Sequence, residues 1–170
     1  DDMATQLRSE ITTHIQDRVK AFLSIPYFIN SLNKVGIEHG ELQLADTDSV
    51  ARHFWHQIKL FTEMTYISYS NEQGDIVSAN RDLYSKQLKI LLANAATQHA
   101  HNHYATDEQG YRTQLLQSVP GFDARKRSWY QAIAKAGKTV WYPVYKYYSY
   151  DSLGVGLGIP IYAKEGTLQG

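Results

Sequence analysis

Two stretches of this chain hold most of the side chains able to recognise another molecule. The first is Phe122-Asp123-Ala124-Arg125-Lys126-Arg127-Ser128-Trp129-Tyr130, which crowds two arginines and a lysine into the first turn of a helix. Positive charge there opposes the helix macrodipole, so helix stability does not account for it. Helix N-terminal amides, the Arg127 guanidinium, the Trp129 indole N–H and the Tyr130 phenol can instead converge on a carboxylate. The alternative is an arginine stacked on aromatic rings at a sheet edge. The second stretch runs from Lys138 to Tyr148 and carries Trp141, Tyr142, Tyr145, Tyr147 and Tyr148. In a strand, Trp141, Pro143, Tyr145 and Tyr147 share one face, and Tyr142, Val144 and Tyr148 the other. One face belongs to the core. The other is too rich in phenol for open solvent and suits a pocket wall with apolar bodies and polar tips.

Other combinations offer different chemistry. His99, His101 and His103 alternate with Ala100 and Asn102, so a strand would put three imidazoles on one face, a possible zinc or copper site. Rings about 7 Å apart along a strand need a bend to reach one ion, and a solvated strand face is the preferred reading. His53 and His56 read as solvated or edge positions of a helix. Gly154-Val155-Gly156-Leu157-Gly158 looks phosphate-binding, but Ile159-Pro160 continues a strand where the dinucleotide motif needs a helix. Asp151 sits in Ser149-Tyr150-Asp151-Ser152, a turn sequence that could also supply a ligand-binding acid. Asp48, Glu63, Asp75 and Asp82 show no paired spacing, and no serine lies in a nucleophile elbow, so nothing demands an enzyme or a cofactor.

Composition narrows the partner. Lys+Arg and Asp+Glu stand at 17 each in 170 residues, so no net field draws the chain to nucleic acid or anionic lipid. The expected partner is a small molecule or another protein. With 43% hydrophobic residues, 12% aromatic and 13 tyrosines the chain can build a real core. No cysteine is present, which removes disulfides and thiol chemistry. No apolar run approaches the ~20 residues of a membrane span. Both ends read as cut from a longer protein, so this describes the fragment and not its parent.

The elements that must position these residues follow from periodicity. Leu7, Ile11, Ile15, Val19, Phe22 and Leu23 recur at spacings of three and four, giving one apolar helical stripe. Pro26 is expected to kink or end that helix near Ser24, before Phe28, Ile29 and Leu32 resume the stripe as far as Gly36 and Gly40. The stripe can pack on the chain's own sheet or form a stalk and dimer surface. Asp46 to Ser49 supplies N-caps for a second helix with Val50, Phe54, Ile58 and Phe61 on one side. From Thr65 the period becomes two. Residues 65–70 and 75–79 form a hairpin about Asn71-Glu72-Gln73-Gly74. Strand-like 86–93 leads to 98–104, and Asp107-Glu108-Gln109-Gly110 turns into 111–116. A single helix from Asp123 to Ala136, closed by Gly137, precedes the aromatic strand 141–148. A strand over 155–163 meets a last turn at Lys164-Glu165-Gly166. Repeated antiparallel turns indicate an α+β meander and not a crossover sheet.

The order Phe-Asp-x-Arg-x-Arg-x-Trp-Tyr, a short helix, Val-Trp-x-Pro-Val-Tyr, then Gly-x-Gly-Ile-Pro-Ile-Tyr and a Lys-Glu-Gly turn resembles a double Cache sensor domain. The likeness is specific from Phe122 to Gly170; before that it rests on the order of elements. It implies a PAS-like antiparallel sheet flanked by helices. Residues 1–45 would be a long stalk or dimer helix and its connection, and 46–170 a membrane-distal ligand-binding module, incomplete at its C-terminal end. It further implies the periplasmic or extracellular part of an inner-membrane receptor, homodimeric through the N-terminal helix. Members of that family sit on histidine kinases, chemoreceptors, nucleotide cyclases and cyclic-di-GMP enzymes. One branch binds amino acids through a Tyr, an Arg, a Trp-Tyr pair, and then a Tyr and an Asp two apart. Arg127, Trp129, Tyr130 and Tyr145 match that pattern, Phe122 replaces the first Tyr, and Tyr147 takes the Asp position. A further Asp would fall beyond Gly170, and Asp151 is the nearest acid that could substitute. The implied ligand is a small carboxylate or amino-acid-like molecule, with the carboxylate-holding half of the pattern present.

Overall fold

The computed structural model describes residues 2–170; Asp1, the first residue of the expected helical segment, lies outside the described residues. Helix α1 (Asp2–Glu38) runs through Pro26 without ending. This corrects the expected break near Ser24. Proline removes the N–H that Phe22 would have accepted, and the Phe22 turn is exposed, so that carbonyl can face water. Packing on the far side holds the helix together: Ile29 and Asn33 are buried, and Ile25 and Ile37 pack against the main core. Asn33 donates to Gln57 Oε1 (2.9 Å) and accepts from Gln57 Nε2 (2.7 Å), tying α1 to the second helix. Residues 2–24 are exposed throughout. Packing on the chain's own core thus accounts for Ile25, Ile29 and Ile37, while the stripe before Ile25, together with Phe28 and Leu32, stays exposed.

Helix α2 (Thr47–Leu60) is capped as expected, Asp46 accepting from the Ser49 amide at 3.0 Å. Val50, Phe54 and Ile58 are buried, while His53 and His56 are exposed. Five strands follow in an antiparallel meander, β1 (Tyr66–Ser70), β2 (Ile76–Arg81), β3 (Leu88–Ala93), β4 (His101–Thr106) and β5 (Arg112–Val119), each paired with its neighbours in sequence. A 3-10 turn (Ala124–Lys126), helix α3 (Ser128–Ala136) and a two-stranded hairpin of β6 (Val140–Lys146) and β7 (Leu153–Gly158) complete the chain. Gly137 closes α3 in the left-handed region, at φ +62°. The fold is α+β and fits a PAS-like arrangement, with the long helix in front. Strand β7 is shorter than expected, ending at Gly158, with an isolated bridge from Tyr162 to Leu168 across the last turn.

The sheet has two unlike faces, and this positions everything else. Cross-strand partners share a face. Ile67, Val77, Ala79, Ile90 and Leu92 point to α1 and α2 and form the main apolar core. The opposite face carries Ser68 against Ser78, Tyr66 against Asn80, and His103 against Leu91. Ser78, Asn80, His101 and His103 are buried there, so the polar face is covered and not solvated. The cover consists of the 3-10 turn, α3 and the β6–β7 hairpin.

Candidate ligand site

Between the polar sheet face and its cover lies a cavity of about 430 Å³. Its walls come from Phe22 and Asn30 of α1, Tyr66 to Ser70 of β1, Ser78, His101, Phe122, the face of α3 bearing Trp129 and Tyr130, and the β6–β7 hairpin. The volume is within the range of small-molecule sites.

Arg127 does not lie inside a continuous helix. The expected helix start at Asp123 resolves into the 3-10 turn, capped by Asp123 through the Arg125 amide, and α3, which begins at Ser128 with Arg127 as its extended N-cap. This break separates the two arginines. Arg125 turns back on Asp123 (2.9 and 3.0 Å) and the Glu72 carbonyl (3.3 Å), outside the cavity lining. Arg127 lines the cavity, donates one N–H to the Lys146 carbonyl at 2.6 Å, and lies 5.3 Å from the Tyr148 ring. No carboxylate pairs with Arg127 among the described residues. The guanidinium thus combines the two arrangements read from sequence: it lies beside an aromatic ring, and it lines a pocket.

The hairpin supplies the phenols, with one correction to their faces. A bulge between Tyr142 and Tyr145, where Pro143 and Val144 oppose the single residue Val155, breaks the expected alternation. Tyr142 and Tyr145 come together, ring centroids 5.7 Å apart, and Tyr147 follows 5.3 Å from Tyr145 and 5.0 Å from Tyr66. Tyr66, Tyr142, Tyr145, Tyr147 and Tyr148 all line the cavity. Burial pushes the Tyr142 phenol up to about 12 and raises Tyr66, Tyr145 and Tyr147 as well, so at neutral pH they stand as O–H donors. The hydroxyls of Tyr66, Tyr142, Tyr145 and Tyr147 have no hydrogen-bond partner among the described residues, whereas Tyr148 donates to the Pro120 carbonyl at 2.7 Å.

The glycines of β7 make room for these rings. A Cβ at Gly154 would stand 2.7 Å from three atoms of the Tyr147 phenol, and one at Gly156 would stand 2.6 Å from Tyr142 Cζ. Gly154 and Gly156 thus seat tyrosines against a strand, and Gly158 makes room for Ile133 of α3.

The remaining expected site residues divide. Phe122 is buried in the cavity wall, its ring stacked on His101 at 4.8 Å. Trp129 and Tyr130 line the wall on α3; the Tyr130 hydroxyl donates to Glu72 Oε1 in a very short hydrogen bond. Asp151 is not part of the site: its side chain is 93% exposed and pairs with Lys146 at 2.8 Å. The turn sequence leaves it at the hairpin tip, in solvent. The three histidines do not share a face. His99 precedes β4 in a left-handed conformation (φ +55°) and stands half-buried, 3.7 Å from Asp75. His101 and His103 are 5% and 1% exposed, which overturns the solvated reading, and burial lowers them to about 3 and about 4. The common face on which a three-histidine metal site stood is absent.

Tyr66 and the serines of β1 escaped the sequence reading as site residues, while Tyr142 and Tyr148 stood on one of the two strand faces left open as pocket wall. A signal existed for β1: Tyr66, Ser68 and Ser70 alternate with Ile67 and Tyr69, marking a polar face opposite the core face that buries Ile67. Compared with known proteins, the chain matches no family model, no curated sequence and no solved structure.

Proposed function

We propose that this chain is the ligand-sensing, extracytoplasmic part of a bacterial transmembrane receptor and that its cavity takes a small carboxylate. The observation that carries the reading is Arg127, a guanidinium without an acidic partner, set in a tyrosine-lined cavity of about 430 Å³. A fork of unspent N–H donors selects a planar anion, and phenols offer both ring faces and O–H donors around it. A ligandless interaction module with the tyrosines as a contact surface fits less well, because these rings enclose a hollow and do not form an outer patch.

Signal output would pass through α1. Asn30 donates to the Leu157 carbonyl at 2.9 Å, so the β7 strand that backs the cavity is bonded directly to the long helix. A ligand that favours one position of the hairpin then favours one position of α1, in proportion to its unequal affinity for the two. Leu7, Ile11, Ile15 and Val19 leave an exposed apolar stripe on the free half of that helix, suited to a second copy of the chain in a homodimer. No helix among the described residues is long and apolar enough to cross a membrane, so the anchor of such a receptor would lie in other parts of its chain.

The test is a thermal-shift screen of carboxylates and amines against the protein and its Arg127→Ala variant. Stabilisation grows with ligand concentration over Kd. Carboxylates should raise the wild-type midpoint and leave the variant unmoved; equal shifts in both proteins would remove Arg127 from the site.

A further inference from the structure

The cavity wall contains a second polar group that neither the core nor Arg127 explains. His101 is 5% exposed and lines the cavity. Its Nδ1 is hydrogen-bonded to Ser149 Oγ at 2.7 Å, Phe122 stacks on its ring at 4.8 Å with an interplanar angle of 15°, and Tyr148 meets it edge-on at 5.8 Å. These contacts fix the ring. They leave Nε2 buried without a partner. A buried polar atom left unpaired is destabilising, and such atoms are rare in native proteins. Ser70 Oγ, on β1 and three strands away across the same sheet face, is a second buried atom without a partner that lines the same cavity.

The charge balance of the wall limits what could meet Nε2. Tyr148 stands between His101 and Arg127, its ring 5.8 Å from the imidazole centre and 5.3 Å from the guanidinium carbon. Burial, the neighbouring His103 and the Arg127 charge all disfavour an imidazolium, so His101 adds no second positive charge. Glu63 is the one acid of the lining among the described residues, and it is exposed. An ammonium group bound inside would find neutral phenols, a neutral imidazole and a guanidinium, with no carboxylate to offset its desolvation.

Resting on the carboxylate reading above, we infer that His101 is a specificity-determining residue: its Nε2 hydrogen-bonds an uncharged polar group of the ligand, a hydroxyl or carbonyl next to the carboxylate, and the site discriminates against the corresponding ammonium. Because the Ser149 hydroxyl can either give or take the bond at Nδ1, Nε2 can act as donor or acceptor, and a hydroxyl suits both tautomers. The inference does not depend on which larger group the carboxylate carries.

Two isosteric triads test it by calorimetric titration: succinate, malate and aspartate, and the larger 3-phenylpropionate, 3-phenyllactate and phenylalanine. Within the triad that binds, the hydroxy acid should bind at least tenfold tighter than the unsubstituted acid, and the amino acid weakest. In His101→Phe, which keeps a ring against Phe122, the hydroxyl preference should fall below threefold while the unsubstituted acid binds as before. Asp151→Ala, at the exposed hairpin tip outside the cavity, should leave the preference intact. A preference that survives His101→Phe, or an amino acid that binds tightest, overturns the inference and leaves the carboxylate site standing. If no member of either triad binds, the carboxylate reading fails and this inference fails with it.

Discussion

Replacing Gly156 by alanine should shrink the ligand site without unfolding the protein. A Cβ at that position would stand 2.6 Å from Tyr142 Cζ and closer still to its hydroxyl, while ordinary contact begins at 3.4 Å. The ring must therefore retreat by at least ~0.8 Å, the difference between those distances. Tyr142 lines the cavity and packs against Tyr145, so its displacement changes the wall that a ligand meets. Overpacking costs ~1–3 kcal/mol, and the stiffer unfolded chain returns ~0.4–1 kcal/mol, leaving a net loss between about 0 and about 2.6 kcal/mol. Losing one phenol contact and its geometry should weaken binding about tenfold, equivalent to ~1.4 kcal/mol. Urea unfolding measures the first quantity. Titration with the most stabilising carboxylate of the thermal-shift screen measures the second. Gly36→Ala is the control: its nearest neighbour would be Leu42 Cβ at 3.7 Å, within a helix, so it should stabilise by ~1 kcal/mol and leave affinity unchanged. A folded Gly156→Ala protein that binds within twofold of wild type would refute the claim that β7 glycines shape the site.

Further outcomes follow from other parts of the molecule. Stability should fall as pH drops below about 6.5, because His101 and His103 titrate near 6.5 when unfolded but are held at about 3 and about 4 when folded. Between these values the unfolded chain binds more protons, so each histidine contributes a loss of up to ~1.4 kcal/mol per pH unit, and His101→Phe should flatten that slope in urea titrations between pH 6 and 4. Asn30→Ala deletes the bond to the Leu157 carbonyl; it should cost ~1 kcal/mol, leave affinity within threefold, and weaken ligand-induced protection of residues 23–38 in hydrogen exchange. Ile15→Glu places a charge in the exposed stripe and should halve the sedimentation-equilibrium mass if α1 pairs two copies; an unchanged mass would exclude that stripe as the interface.

Much of the scaffold was legible because its signals are local. Asp46 caps α2 through the next turn, Gly137 closes α3 in the conformation that favours glycine, and the Asn71 to Gly74 and Asp107 to Gly110 turns set the meander. Where the reading failed, distant packing decided. Pro26 stays inside α1 because Ile29 and Asn33 are buried beyond it. Tyr142 joins Tyr145 because a bulge at Pro143 and Val144 cancels the period of two. His101 and His103 are buried because a hairpin some 40 residues later covers their face, which no pattern within β4 reveals. Arg127, Trp129, Tyr130, Tyr145 and Tyr147, singled out because their side-chain types make poor sense as a plain helix start and strand, come together in one cavity wall. The exposure of Asp151 was not legible, because in its turn a ligand-binding acid and a solvated one look alike.

The measurement that bears most directly on the whole account is a double comparison at Arg127. A carboxylate from the screen and its primary amide should be titrated against the protein and against Arg127→Gln. A charge-assisted bond contributes ~1.5–3 kcal/mol against ~1 kcal/mol for a neutral one. The wild type should therefore favour the carboxylate by about 2- to 30-fold, and the variant should bind both forms alike. The same preference in both proteins would mean that Arg127 does not hold the anion.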